Sequence, residues 1–244
     1  MSQPPLLGES RFWAASADRQ RAVNTLFDRS AAHYDRACGL MSFGSGQSYR
    51  RDALDRAGLR PGMHVLDVGT GTGLLAREIV HLLGSGRRVV GIDPSWQMMA
   101  AGRRRFRIPL VQGVGERLPF PDSRFDFVAM GYALRHVPDL DETFKEYRRV
   151  LKPGGRLLLL EITRPAWAIA RGLARIYFGT VVPFLTRVGT GSSNTAELMR
   201  FYWETIAQCV PPETVLASLT RAGLVAPDRT VLYGVFSEYT ASRA

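Results

Sequence analysis

Three glycines at alternate positions constrain this chain more than any other feature. Residues 63–74 read MHVLDVGTGTGL. Val65, Leu66 and Val68 make a short apolar run of the kind a buried parallel strand shows. Gly69, Gly71 and Gly73 follow, separated by Thr70 and Thr72, and residues 74–83 are periodic enough for a helix. A strand, a glycine turn and a helix in that order bring backbone N–H groups and the positive end of a helix around a ligand. A side chain in such a turn would block close approach and many turn conformations.

The turn lacks the Gly-Lys-Ser/Thr ending that grips phosphates. It also fits a dinucleotide fingerprint poorly, because Leu74 stands where the third small residue belongs. Asp67, two residues before the first glycine, suits a ligand bearing an ammonium or hydroxyls and would repel a pyrophosphate. A second apolar strand, 88–92, runs into Asp93. An acidic residue about 20 positions past the glycine loop binds both ribose hydroxyls. Together they suggest a ligand with a ribose and no phosphate, a description that S-adenosylmethionine meets. A generic α/β turn is the plainer reading of the stretch alone.

The chain has 244 residues, 45% of them hydrophobic, enough for one large α/β domain. Its net charge is +10, almost all of it arginine; Lys145 and Lys152 are the only lysines. The arginines are spread along the chain with no RNA-binding signature, so nucleic acid is not an expected partner. Weak attraction to a membrane surface and a merely solvated basic surface both stay open. Cys38 and Cys209 lie far apart, which suits a reducing, cytoplasmic setting and leaves one long-range disulfide open. No signal peptide is visible at the start of the sequence. The longest apolar candidate, 176–185, is interrupted by Gly179 and Pro183 and falls short of the roughly 18 residues of a membrane span.

In order, residues 1–10 read as a flexible tail and 11–244 as a single domain. A helix over 11–32 places Val23, Leu26 and Phe27 on one face, and Tyr34 and Asp35 stand where it gives way to a loop. With a helix over 47–57, residues 11–60 form a helical cover for the ligand mouth. A helix over 95–105 ends in Arg103, Arg104 and Arg105, which offset its dipole. Strands follow over 108–112 and 125–131. The polar run Gly131 to Pro138, GYALRHVP, sits at the carboxyl end of a parallel strand, where open α/β sheets bind ligands. Asp139, Asp141 and Glu142 open a helix that Lys145, Arg148, Arg149 and Lys152 close and Pro153-Gly154-Gly155 stops. A fifth strand spans 156–162. Residues 164–206 are an apolar, aromatic insertion, read as a lid over an apolar substrate in preference to ordinary core. A helix over 211–222 and strands over 225–232 and 234–240 complete the chain.

VLDVGTGTG, GIDPSWQMMAAGRRR, RLPFPDSRFDFV, GYALRHVPD and YRRVLKPGGRLLLLE together resemble the class I S-adenosylmethionine-dependent methyltransferases. Within them, FDRSAAHYDRACGLMSFG and LRHVPDLDETFKEYRRVLKPGGRLLLLE resemble the UbiE-type C-methyltransferases of ubiquinone and menaquinone biosynthesis. The resemblance covers about residues 22–240. It implies a Rossmann-like, doubly wound, mostly parallel sheet of about seven strands, the last antiparallel, with helices on both faces. It implies that Gly69, Thr70, Gly71 and Thr72 cradle the methionine part beside Asp67. Asp93, next to Pro94, holds the ribose, and Gly131 flanks the sulfonium. The family's Asp or Asn for the adenine amine is replaced here by Val114-Gly115, so adenine rests on backbone and apolar contacts that include Met98. No metal is implied, the acceptor is a small apolar aromatic molecule, and a homodimer stays open.

Ring methylation needs a neighbouring hydroxyl to lose its proton. The resemblance implicates Arg135 and Tyr34 in that step. A guanidinium is not a base, so Arg135 stabilises a phenolate or polarises a water that takes the proton. His136 is a further candidate base, although these enzymes commonly read Gly-Leu-Arg-Asn where this chain has Ala133-Leu134-Arg135-His136. Three other readings compete. One is an O-, N- or C-methyltransferase of a specialised metabolite. Another is an NAD-dependent oxidoreductase, disfavoured by Asp67 and Leu74. The last is a non-catalytic binding module.

Overall fold

The computed structural model describes residues 16–103, 107–163, 165 and 167–244, with the side chains of 16–20 and 207 left aside. The expected tail, the first turn of the helix from Arg11, and Arg104 and Arg105 lie outside the described residues.

Strand β1 (Val65–Val68) is buried along its whole length. Its side chains alternate between two cores, as a strand's must. Leu66 and Val68 join Val128, Phe144, Tyr147, Val215 and Leu219 on one face of the sheet. Val65 joins Leu54, Leu75, Ile79, Phe127 and Leu158 on the other. Around β1 the sheet adds β2 (Val89–Asp93), β3 (Leu110–Gln112), β4 (Phe125–Gly131), β5 (Leu151–Ile162), β6 (Leu224–Leu232) and β7 (Phe236–Arg243). The order is β3-β2-β1-β4-β5-β7-β6, and β7 runs antiparallel to both its neighbours. The doubly wound, seven-stranded architecture implied by the sequence is therefore present. The order reverses beside β1, and such a switch point places a ligand at the carboxyl ends of β1 and β4.

Helices α3 (Gly46–Arg56) and α4 (Leu74–Leu83) cover one face; α5 (Trp96–Gly102), α6 (Leu140–Val150) and α10 (Pro212–Arg221) complete the alternation. Above the strand ends lies a separate layer. Helices α1 (Ser16–Ser30) and α2 (Tyr34–Met41) meet α8 (Val182–Thr190) and α9 (Ser193–Ala207) there. Their own core contains Val23, Leu26, Ala37, Val182, Leu198, Phe201 and Tyr202. The first two helices of the expected N-terminal cover and α8 and α9 of the apolar insertion thus form one packed lobe, whereas α3, expected in that cover, packs on the sheet face beside α4.

Three local expectations need correcting. Tyr34 and Asp35 do not mark the passage into a loop. A 3-10 turn at Ala31–His33 bends the chain and Tyr34 opens α2. Lys152-Pro153-Gly154-Gly155 is not past the helix and before the strand but within β5, as a bulge opposite Asp126. Lys152 bonds Asp126 at 2.8 Å instead of capping α6. Finally, Gly179 and Pro183 do not interrupt the apolar stretch. Helix α7 (Ala168–Ile176) continues through a π-helical turn at Tyr177–Val181 into α8, a run of 23 residues, Ala168–Thr190, long and apolar enough by composition to cross a membrane. Pro183 cannot donate to the carbonyl one turn back, and a wider turn absorbs that missing bond without ending the helix.

Candidate active site

The glycine turn is fastened to the end of β2. Gly69 and Thr70 both donate their N–H to the Ile92 carbonyl, at 2.9 and 3.1 Å. Gly71 donates to Asp93 Oδ2 and Ser95 to Asp93 Oδ1, each at 2.8 Å. The Asp93 carboxylate therefore faces the crevice of the turn, as a ribose-binding role requires, and each oxygen keeps acceptor capacity. The N–H groups of Gly69, Thr70 and Gly71 are spent within the protein, so the turn offers a ligand its Cα edge. Glycine is demanded there. Gly69 has φ +66°, and a Cβ on it would stand 2.9 Å from that of Ala133. Burial pushes the Asp93 carboxyl up to about 6 against the pull of its two N–H donors.

Asp67 lies beneath the turn, fully buried, where Thr70 Oγ1 donates to its Oδ2 at 2.7 Å. Burial raises it to about 7. Thr72 reaches the other way and donates to Asp35 Oδ1 of α2 at 2.5 Å. Ser95, the N-cap of α5, hydrogen-bonds Asp28 of α1. Two ties thus hold the helical cover to the turn and to the residue after Pro94.

Between cover and turn is a cavity of about 100 Å³. Gly69, Gly71, Asp93, Pro94, Met98 and Gly131 line its sheet side; Phe27, Tyr34, His136 and Tyr202 line the other. Val114 and Gly115 are not in its wall. Val114 pairs with Arg117 in an isolated bridge, and a Cβ on Gly115 would meet the Tyr147 hydroxyl at 2.9 Å. An acidic group aimed across a tight turn, flanked by Met98, matches a ribosyl ligand without phosphate. The residues present fit S-adenosylmethionine.

A second cavity, of about 670 Å³, opens beside the first and shares Tyr34, Tyr132 and Tyr202 with it. Its wall is mainly apolar and includes Met41, Leu173, Tyr177, Phe178 and Phe236. Arg135 lies in this wall, 1% exposed. Its Nη1 donates to Glu161 Oε1 at 2.5 Å, its own backbone N–H to Glu161 Oε2 at 3.2 Å, and its Nε to Thr205 at 3.1 Å. The guanidinium sits 4.7 Å from the Tyr202 ring centre. Burial opposes its charge, but the attraction of Glu161 wins and Arg135 stays protonated. The Tyr34 and Tyr202 hydroxyls lie 2.5 Å apart. Burial raises both phenols, so both are neutral. His136 is placed between rings, stacked on Phe201 and edge-on to Phe27, each with centres 5.5 Å apart.

Sequence reasoning named Tyr34, Arg135 and His136, and the fold gathers them around the shared wall. It missed Glu161, Tyr132, Tyr202 and Thr205. Glu161 carried a signal, a carboxylate closing an otherwise aliphatic strand, LLLLE. Tyr132 takes φ +62°, a backbone strain frequent at functional sites. Tyr202 and Thr205 lie on α9, and no local pattern tells which face of that helix points inward.

The chain matches the ubiE/COQ5 methyltransferase family over residues 14–241. The ubiquinone/menaquinone biosynthesis C-methyltransferase UbiE of Hahella chejuensis is 35% identical over 214 residues, which cover 85% of either protein. Its counterpart of the same description in Enterobacter sp. is 36% identical over 217 residues, 86% of this chain and 85% of that one. A solved S-adenosylmethionine-dependent methyltransferase of Thermotoga maritima shares the fold, with TM-score 0.63 over 90% of this chain and 99% of that one at 20% identity. This chain therefore belongs to the ubiE/COQ5 methyltransferase family, and it is an enzyme that transfers a methyl group from S-adenosylmethionine.

Proposed function

We propose that the acceptor is a quinol and that the methyl group goes to a ring carbon. The observation that carries this reading is the junction of the two cavities. A large apolar chamber meets the crevice of Asp93 at Tyr34, Tyr132 and Tyr202, with a buried guanidinium in the chamber wall. The curated relatives named for ubiquinone and menaquinone biosynthesis support the same acceptor class.

S-adenosylmethionine, when bound, supplies a methyl group made electrophilic by the sulfonium that carries it. The chain's residues do the rest. Asp93 accepts hydrogen bonds from the ribose hydroxyls, and Gly69, Gly71 and Gly131 let the ligand approach the backbone closely. Apolar walls keep water from the reacting carbon. A ring carbon becomes nucleophilic when the hydroxyl beside it ionises. Arg135 stabilises that oxyanion, which lowers the pKa of the hydroxyl so that solvent can take the proton. Glu161 and Thr205 hold the guanidinium in place. Tyr34 and Tyr202, neutral, donate hydrogen bonds at the chamber junction. His136 is the rival proton acceptor, on the nucleoside side of the wall.

The test is a labelled-methyl assay against a panel of demethylquinols under reducing conditions, with the product mapped by NMR. The expected product carries the methyl on carbon. Methyl on oxygen would reject the ring-carbon assignment, and no turnover in a protein that still binds S-adenosylhomocysteine would reject the quinol reading. Arg135→Ala is expected to bind S-adenosylhomocysteine within about threefold of wild type while turnover falls at least about a hundredfold, the scale of a lost acid–base or oxyanion partner. Turnover equal to wild type would remove Arg135 from the reaction.

A further inference from the structure

The helical run Ala168–Thr190 is built inside out for a surface helix. Ile169, Leu173, Ile176, Phe184 and Val188 fall on one stripe at helical spacing, and each is exposed; Ile169 is 81% accessible. The opposite side is the packed one. Val182, Pro183 and Thr186 are buried, and Phe178 stacks on Trp203 of α9 with ring centres 6.2 Å apart. The α8 half of the run is clasped against α9 and α2, while α7 buries no residue, so the apolar stripe lies open along the whole run. Trp167, at its start, is also exposed, as are Arg175 and Arg187 along it. The stripe is continuous with the mouth of the larger cavity, since Leu173 lines both, and Phe43 and Tyr233, the latter 84% exposed, extend the apolar rim.

We propose that this face docks on the surface of an anionic lipid bilayer, so that the mouth of the larger cavity opens towards the acyl chains. The inference rests on the proposed quinol acceptor, an apolar molecule that partitions into lipid. An amphipathic helix lying in the interface with aromatic and aliphatic residues down and arginines at its flank is a known way of binding such a surface. The charge favours this occupant over a second copy of the chain. A two-fold pairing through the stripe would bring Arg175 and Arg187 of one copy against those of the other, on molecules of net charge +10. Anionic headgroups complement the same arginines.

The experiment is flotation of the full chain with phosphatidylcholine vesicles, with and without a minority of phosphatidylglycerol. Wild type is expected to float with the anionic vesicles and the Trp167 emission to shift to the blue, a shift absent in Trp167→Phe. Ile169→Ser/Phe184→Ser/Val188→Ser, and separately Arg175→Glu/Arg187→Glu, should each lower vesicle affinity by more than about tenfold. Their melting temperature and S-adenosylhomocysteine binding report that they are folded. The charge pair keeps the test open should the triple variant fail to fold. Wild type that stays in solution, or a folded triple variant that floats like wild type, overturns the proposal. A dimer that the triple variant dissolves, without flotation, assigns the face to a second copy and also overturns it. Vesicle binding needs no turnover, so a protein that floats but methylates no quinol sinks the acceptor reading and leaves the docking face standing.

Discussion

At the scale of single residues, the site is made of charges that have been given partners before any ligand arrives. Arg135 and Glu161 are 1% and 0% exposed and bonded at two places. Removing one member of such a pair strands the other. Glu161→Gln should therefore lower stability by about 3–5 kcal/mol, read as a fall in melting temperature, and should reduce turnover more than it changes S-adenosylhomocysteine affinity. Asp93 differs because its two oxygens accept, among the described residues, only from the backbone N–H groups of Gly71 and Ser95 and keep acceptor capacity for a ligand. Asp93→Asn keeps the shape and removes half of the acceptor capacity, so S-adenosylhomocysteine binding should weaken at least about tenfold, or about 1.4 kcal/mol. In wild type the same affinity should decline as pH falls through about 6, where this carboxyl takes up its proton; calorimetry across pH measures both. Asp93 and the glycine turn could be placed from the sequence because each stands at a strand end or in a dense motif, whereas Tyr34 and Arg135 are singled out by the family resemblance alone. Glu161 and Tyr202 could not be paired with Arg135, because the contacts span 26 residues in one case and come from a helix of the least patterned third of the chain in the other.

At the scale of elements, the sheet was legible and the lobe above it was not. Buried strands and their helices have periods that a sequence displays. The path by which α1 and α2 meet α8 and α9 depends on long-range packing that no period encodes. That lobe closes the smaller cavity to about 100 Å³, below the roughly 300 Å³ of common ligand sites. Admitting a nucleoside is therefore expected to shift the cover. Its ties are Asp28 to Ser95 and Asp35 to Thr72. Asp28→Ala/Asp35→Ala should raise amide exchange in α1 and α2 and speed S-adenosylhomocysteine release several-fold, as stopped-flow displacement would show. Unchanged exchange and release would mean that these bonds do not fasten the cover.

At the scale of the whole molecule, buried acids set an unusual pH dependence. Asp67 and Asp93 have folded-state values of about 7 and about 6, both above the ordinary 3.8. The folded chain then holds more protons than the unfolded one between those values, so stability is fully present below about pH 4 and is lost as pH rises through 6 and 7. Asp126, Asp141 and Glu146 are lowered by their cationic and N–H partners and act in the opposite direction at the acid end. Melting temperature should peak in mildly acid solution and fall towards pH 8, with a ceiling of about 4 kcal/mol for the contribution of Asp67. Asp67→Asn should flatten the decline; an unaltered slope would show that the buried acid beneath the turn is not its source.

Tyr34 has a consequence for the order of events in a catalytic cycle. One phenol belongs to both chambers, and it rides on α2, which Asp35 ties to the turn. Letting the spent nucleoside out past α2 should disturb a wall of the other chamber, so the methylated ring is expected to leave before the nucleoside or together with it, an order that product-inhibition kinetics would reveal.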